Sequence, residues 1–220
     1  MQEALENALT VAIRAPAAVI GAGRTDRGVH ARGQVAHFHT ELTLDTRRTL
    51  RSLNGLTPAA IAVHALEKAP DGFHARFDAS SRRYHYYVST RPAALARHYR
   101  YVLPSPIDFC IMNKAAAHLL GEHHFGAFCL QRSATRNRVC TVSHAQWIQE
   151  GRAHEWHFVI EANRFLHGMV RAFVGTLFEI GRGKRSVADI KRVLATRDRS
   201  AAGPAAPPHG LVLESIRYAR

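Results

Sequence analysis

One short segment of this chain sets a single acid among several cations. Gly21-Ala22-Gly23-Arg24-Thr25-Asp26-Arg27-Gly28 holds the carboxylate of Asp26 between Arg24 and Arg27, with Arg32 close behind. Neighbouring guanidinium groups favour the charged, nucleophilic form of a carboxylate where the geometry brings them together. Glycines let a bulky ligand backbone come near. An aspartate here can equally close an Asx turn on its own backbone, and the spacing alone leaves both readings open. A dinucleotide fingerprint fails, because GxGxxG requires glycine where Asp26 stands and the following GVHARGQ is not helix-like.

A second isolated charge lies far downstream. From Phe165 to Ile180 the chain is apolar nearly all round, and Arg171 is its one Asp, Glu, Lys or Arg before Glu179. A helix of that pattern is buried, and a buried guanidinium calls for an acidic partner. Asp26 is one candidate and Glu161 another, while snorkelling to the surface is a third outcome. Gly168 and Gly175, at i−3 and i+4, flank Arg171 with small residues. Tyr84 sits in an aromatic, β-rich stretch, where a core role competes with a role in a site; Arg82 and Arg83 before it suit an RNA-facing surface. Arg182-Gly183-Lys184-Arg185 reads as a phosphate contact or as a solvated charge run.

Composition narrows the class of partner. Thirty basic residues stand against seventeen acidic ones, a net charge of +13, and only Lys68, Lys114, Lys184 and Lys191 are lysines. An arginine-rich excess suits phosphate forks and base stacking; codon bias is the bland alternative. Cys110, Cys129 and Cys140 form no CxxC pair, and the fifteen histidines show no zinc-ligand spacing, so reduced thiols and no metal are expected. No apolar run reaches the roughly 20 residues that span a bilayer, and the N-terminus lacks a secretory pattern, so no membrane and a cytoplasmic location are expected.

The elements that must position these residues follow from periodicity. Helices are predicted at 2–14, 46–53, 108–120, 165–180 and 187–196. Strands are predicted at 17–22, 35–40, 61–66, 84–90, 137–149, 154–161 and 211–218. Residues 91–108 are expected to connect two halves, 1–103 and 104–220. Without strict βαβ alternation the class is α+β.

Four blocks carry a family resemblance, in order and over nearly the whole chain: GAGRTDRGVHARGQVAHF, FHARFDASSRRYHYYV, ANRFLHGMVRAFVGTLFEIGRGKRS and RDRSAAGPAAPPHGLVLESIRY. They resemble the TruA-type tRNA pseudouridine synthases. The resemblance implies the pseudouridine synthase fold, two similar α/β halves with largely antiparallel sheets, flanking helices and a catalytic cleft between them. It implies isomerisation of uridine to pseudouridine at positions 38–40 of the tRNA anticodon arm, without a cofactor, by a homodimer. Asp26 matches the catalytic aspartate, which would act covalently on the sugar or on the pyrimidine. Arg24 matches the arginine beside it, Arg171 the arginine that pairs with the acid, and Tyr84 the tyrosine that stacks on the target base. Arg24, Arg27, Arg82 and Arg83 would hold the splayed RNA backbone.

Two departures stand out. The family's opening strand is missing, and Met1-Gln2 stands where the family often reads VQ, so a GTG codon taken as the start is one expectation. A truncated or degenerate RNA-binding relative without turnover is the other. Cys129 stands where the family often has arginine, which puts one RNA contact in doubt.

Overall fold

The computed structural model describes residues 1–92, 94–130, 135–151 and 153–219. These divide into two compact units, Met1–Gly23 with Val35–Asp78, and Arg24–Gln34 with Ala79–Arg220.

The first unit is a small helical layer with a minimal sheet. Helices α1 (Gln2–Ile13) and α2 (Thr46–Leu56) bury Ala8, Leu9, Ile13 and Leu53 together with Val19. Asp45 caps α2 by accepting a hydrogen bond from the Arg48 amide at 3.0 Å, which satisfies one of the free N–H groups at a helix start. Strand β1 (Ile20–Gly21) pairs antiparallel with β3 (Ala36–His37). Both are shorter than the periodicity predicts. The strand predicted at 61–66 does not form. Instead the Asn54 side chain donates to Val63 O and accepts from Val63 N, each at 2.8 Å, so a side-chain amide replaces a neighbouring strand there. This also explains why α2 runs past Asn54-Gly55, where a stop was expected: Asn54 uses its side chain within the helix rather than turning the chain.

The second unit is built on a mixed, mostly antiparallel sheet. Its strands are β2 (His30–Ala31), β4 (Ala79–Ser89), β5 (Tyr101–Val102), β6 (Gly121–His124), β7 (Val139–Gln149), β8 (Glu155–Ala162) and β9 (Leu211–Tyr218). The order is β2-β9-β4-β8-β7-β6, with β5 added to β4. Among the described residues, only β2–β9 and β4–β5 pair in parallel. The sheet therefore takes strands from both sides of residue 103. Segment 91–108, expected as a plain connection, contributes β5; Ala93 within it lies outside the described residues.

Helices α3 (Phe109–Ala116), α4 (Met169–Gly181) and α5 (Asp189–Thr196) complete this unit. Alternate residues of β8, Phe158, Ile160 and Ala162, share one fully buried core with Trp147, Phe125, Phe128, Phe173 and Leu177. Burying each such large apolar side chain contributes roughly 2 kcal/mol, so this core fixes where α4 lies on the sheet. Asp108 caps α3 as expected, accepting from Ile111 N at 3.0 Å. Helix α4 starts four residues later than its apolar pattern suggests, because Gly168 sits in the left-handed region (φ 72°) and caps the helix instead of extending it.

Candidate active site

Asp26 reaches its place through strand pairing. The segment 24–34 belongs to the larger unit, where β2 lies parallel to β9, matching His30 with Val212 and Ala31 with Leu213. Arg32 N adds a hydrogen bond to Leu213 O at 2.8 Å, and Val29 is buried in the main core. A turn closed by Val29 N donating to Asp26 O at 3.0 Å then presents the aspartate.

The Asp26 side chain turns to α4. Its Oδ2 accepts from Arg171 Nη1 at 3.0 Å, and about a fifth of each side chain stays accessible, 21% for Asp26 and 22% for Arg171. The pairing with Glu161, left open by the sequence, does not form: Glu161 accepts from Ser81 and Arg83 and lies 3.3 Å from Arg217. Burial opposes charge on Glu161, but hydrogen bonds from Ser81 and Arg83, with the charges of Arg83 and Arg217, outweigh it and hold its carboxyl below the ordinary range.

Arg171 is fixed on its other side as well. Its Nε donates to Ala206 O at 2.8 Å, and its own backbone carbonyl accepts from Ala206 N at 2.9 Å. This two-way tie exists because residues 202–206 lie directly on α4. A Cβ at Gly175 would stand 1.7 Å from Pro204 O, so only glycine permits the approach. Thr176 Oγ1 extends the same seam, accepting from Gly203 N at 2.9 Å.

Tyr84 is partly buried in β4, opposite Ile160 and Leu213, and meets Phe165 edge to face at 5.2 Å between ring centroids. Burial pushes its phenol up to about 12; Arg82 opposes this and the charge of Asp26 adds to it. The hydroxyl thus stays protonated through neutral pH. Arg24 and Arg27 are exposed beside the acid. Arg82 and Arg83 are tied to the protein: Arg82 Nη1 donates to Ala79 O and Asn163 O, and Arg83 pairs with Glu161 at 2.6 Å. Of the downstream cluster, Arg185 pairs with Glu179 and donates to Ala201 O, and Arg182 stacks over Phe178.

Sequence reasoning missed His167. Its Nε2 lies 3.1 Å from Asp26 Oδ1, so the two carboxylate oxygens have separate partners. The only available signal was its spacing four residues before Arg171. Among the described residues, no group of three or more His, Cys, Asp or Glu is placed to hold a metal ion, and no helix is long and apolar enough to cross a membrane.

A carboxylate partly open to solvent, braced by a fixed guanidinium and near a neutral phenol, can act as a nucleophile or a base. Comparison with known proteins gives the chemistry a context. The sequence model of the family described as tRNA pseudouridine synthase matches residues 115–219. The chain is similar to tRNA pseudouridine synthase A of Bacteroides fragilis, 42% identical over 219 residues that make up 99% of this chain and 86% of that protein. It is 43% identical over 219 residues to the protein of that name from Bacteroides thetaiotaomicron, spanning 99% of this chain and 81% of the relative. For the Bacillus subtilis protein of that name the identity is 40% over 222 residues, 99% and 89%.

Proposed function

Given that the chain belongs to the tRNA pseudouridine synthase family, we propose that it isomerises uridine to pseudouridine in tRNA with Asp26 as the nucleophile. The bond between ribose C1′ and uracil N1 breaks, the freed base turns, and C1′ joins C5. The proton leaving C5 is balanced by one gained at N1, so no redox partner or energy source is consumed. Asp26 attacks either the sugar or the ring and is released when the new bond forms.

The other residues take roles that fit their surroundings. Arg171 keeps the carboxylate aimed and balances its charge. Tyr84, its phenol neutral and its ring braced edge-on by Phe165, stacks on the base during its rotation. The exposed Arg24 and Arg27 hold RNA phosphates. Arg82 and Arg83 join them at the edge of that contact, with part of their surface still open. The target uridines are those at positions 38–40 of the anticodon arm, where a paired base must leave its stack at a cost of a few kcal/mol. The protein works in the cytoplasm, where its tRNA partner is, as a homodimer.

The observation that carries this reading is the Asp26–Arg171 ion pair at 3.0 Å. The test uses unmodified tRNA labelled with tritium at uridine C5. Wild type is expected to release tritium, and Asp26→Ala to fall to background while retaining tRNA on a filter within about threefold of wild type, since the arginines that supply affinity are untouched. An Asp26→Ala protein that still turned over, or a wild type that bound tRNA without releasing label, would overturn the proposal.

A further inference from the structure

The two oxygens of Asp26 are held in different ways. Oδ2 faces a rigid cation: Arg171 Nη1 at 3.0 Å, its Nε locked on Ala206 O at 2.8 Å. A contact to one oxygen leaves the carboxylate plane free to turn about the Cβ–Cγ bond. His167 Nε2 stands 3.1 Å from the other oxygen, Oδ1, close enough to limit that turning.

His167 differs from Arg171 in where it stands. Its side chain is 56% exposed against 22% for Arg171, so it borders Asp26 from the solvent side, where a substrate must enter. It is nevertheless anchored. Its carbonyl accepts from Leu130 N at 3.0 Å, and the next residue, Gly168, is the left-handed cap of α4, packed on the Leu130 side chain. The imidazole thus leaves a backbone fixed on both sides. An Nε2–H able to donate to Oδ1 is carried by both the neutral Nε2–H tautomer and the imidazolium.

We propose that His167 is a positioning residue that restrains the plane of the Asp26 carboxylate from its solvent side. The inference rests on the assignment of Asp26 as nucleophile. Glutamine can place an amide N–H near the Nε2 position without titrating, and alanine cannot, so the two variants separate a hydrogen-bond role from loss of bulk.

Steady-state pseudouridylation of tRNA by the full chain is the measurement. His167→Ala is expected to lose about tenfold in kcat with KM within twofold, as a misaligned nucleophile does, and His167→Gln to recover to within about threefold of wild type. An alanine variant with wild-type kcat, a change confined to KM, or a glutamine variant no better than alanine would overturn the inference. Circular-dichroism melts check folding. Should the alanine variant fail to fold, glutamine alone decides: within threefold of wild type supports the role, and a tenfold loss removes it. Inactivity of the wild type, or activity of Asp26→Ala, would instead refute the assignment beneath it.

Discussion

Arg171 joins two obligations in one side chain, and that decides what can replace it. Its Nε serves Ala206 O while Nη1 serves Asp26 Oδ2, a division the planar guanidinium fork allows. A lysine ammonium is one point charge and cannot occupy both places. Arg171→Lys is therefore expected to lower kcat for pseudouridine formation by about 100-fold with little change in KM, because charge survives and alignment does not. A variant near wild-type kcat would mean that charge alone suffices. The pairing of Arg171 with an acid was legible in the sequence, since a lone arginine in an apolar helix needs a partner, and Asp26 was one of two acids considered for it. His167 was not legible, because an exposed histidine carries no such demand and the acid it meets is distant in the chain. Arg82 and Arg83 illustrate the converse: adjacent arginines read as an open surface, yet both spend hydrogen-bonding capacity inside the protein, one on carbonyls and one on Glu161.

At the level of elements, α4 and the segment lying on it set the geometry around the acid. Glycine within a helix ordinarily costs about 1 kcal/mol relative to alanine, so Gly175→Ala should stabilise an isolated helix. Here the added Cβ would stand 1.7 Å from Pro204 O, and the sign reverses. Gly175→Ala is expected to destabilise by about 2 kcal/mol, lowering the melting temperature by roughly 5 °C. It should also reduce turnover, since moving residues 202–206 shifts Ala206 O away from Arg171. A higher melting temperature would contradict the packing. Long periodic elements such as α4, β7, β8 and β9 were readable because their patterns persist over several turns or alternations. The start of α4 was missed because a left-handed glycine leaves no mark on an apolar pattern. The strand expected at 61–66 was missed because the side chain of Asn54 takes the place of a neighbouring strand. The parallel match of β2 with β9 was beyond reach, since two-residue strands have no period and their partners are far apart in sequence.

For the molecule as a whole, acid sensitivity has an identifiable source on the sheet. His85 in β4 stacks on His157 at 4.8 Å, and burial brings its pKa down to about 4 against an ordinary 6.5; Glu214 opposes the shift, while His157, Arg83 and Arg32 add to it. The 3.9 Å approach to Glu214 is thus not an ion pair near neutral pH. Between pH 6.5 and about 4 the unfolded chain binds a proton at this position that the folded chain refuses, so stability is full above this window and declines as pH falls through it. The loss is on the order of 2 kcal/mol. Thermal melts across this range are expected to show a shallower pH slope for His85→Gln than for wild type, and equal slopes would place the sensitivity elsewhere. The bonds that carry Asp26 also have an order in time. Translation produces the acid early and its supports late: Arg171 follows much later, Ala206 later again, and the β9 residues that grip the Asp26 segment after that. A polypeptide halted before β9 therefore carries the acid and its guanidinium but lacks the strand that holds segment 24–34 in place beside them.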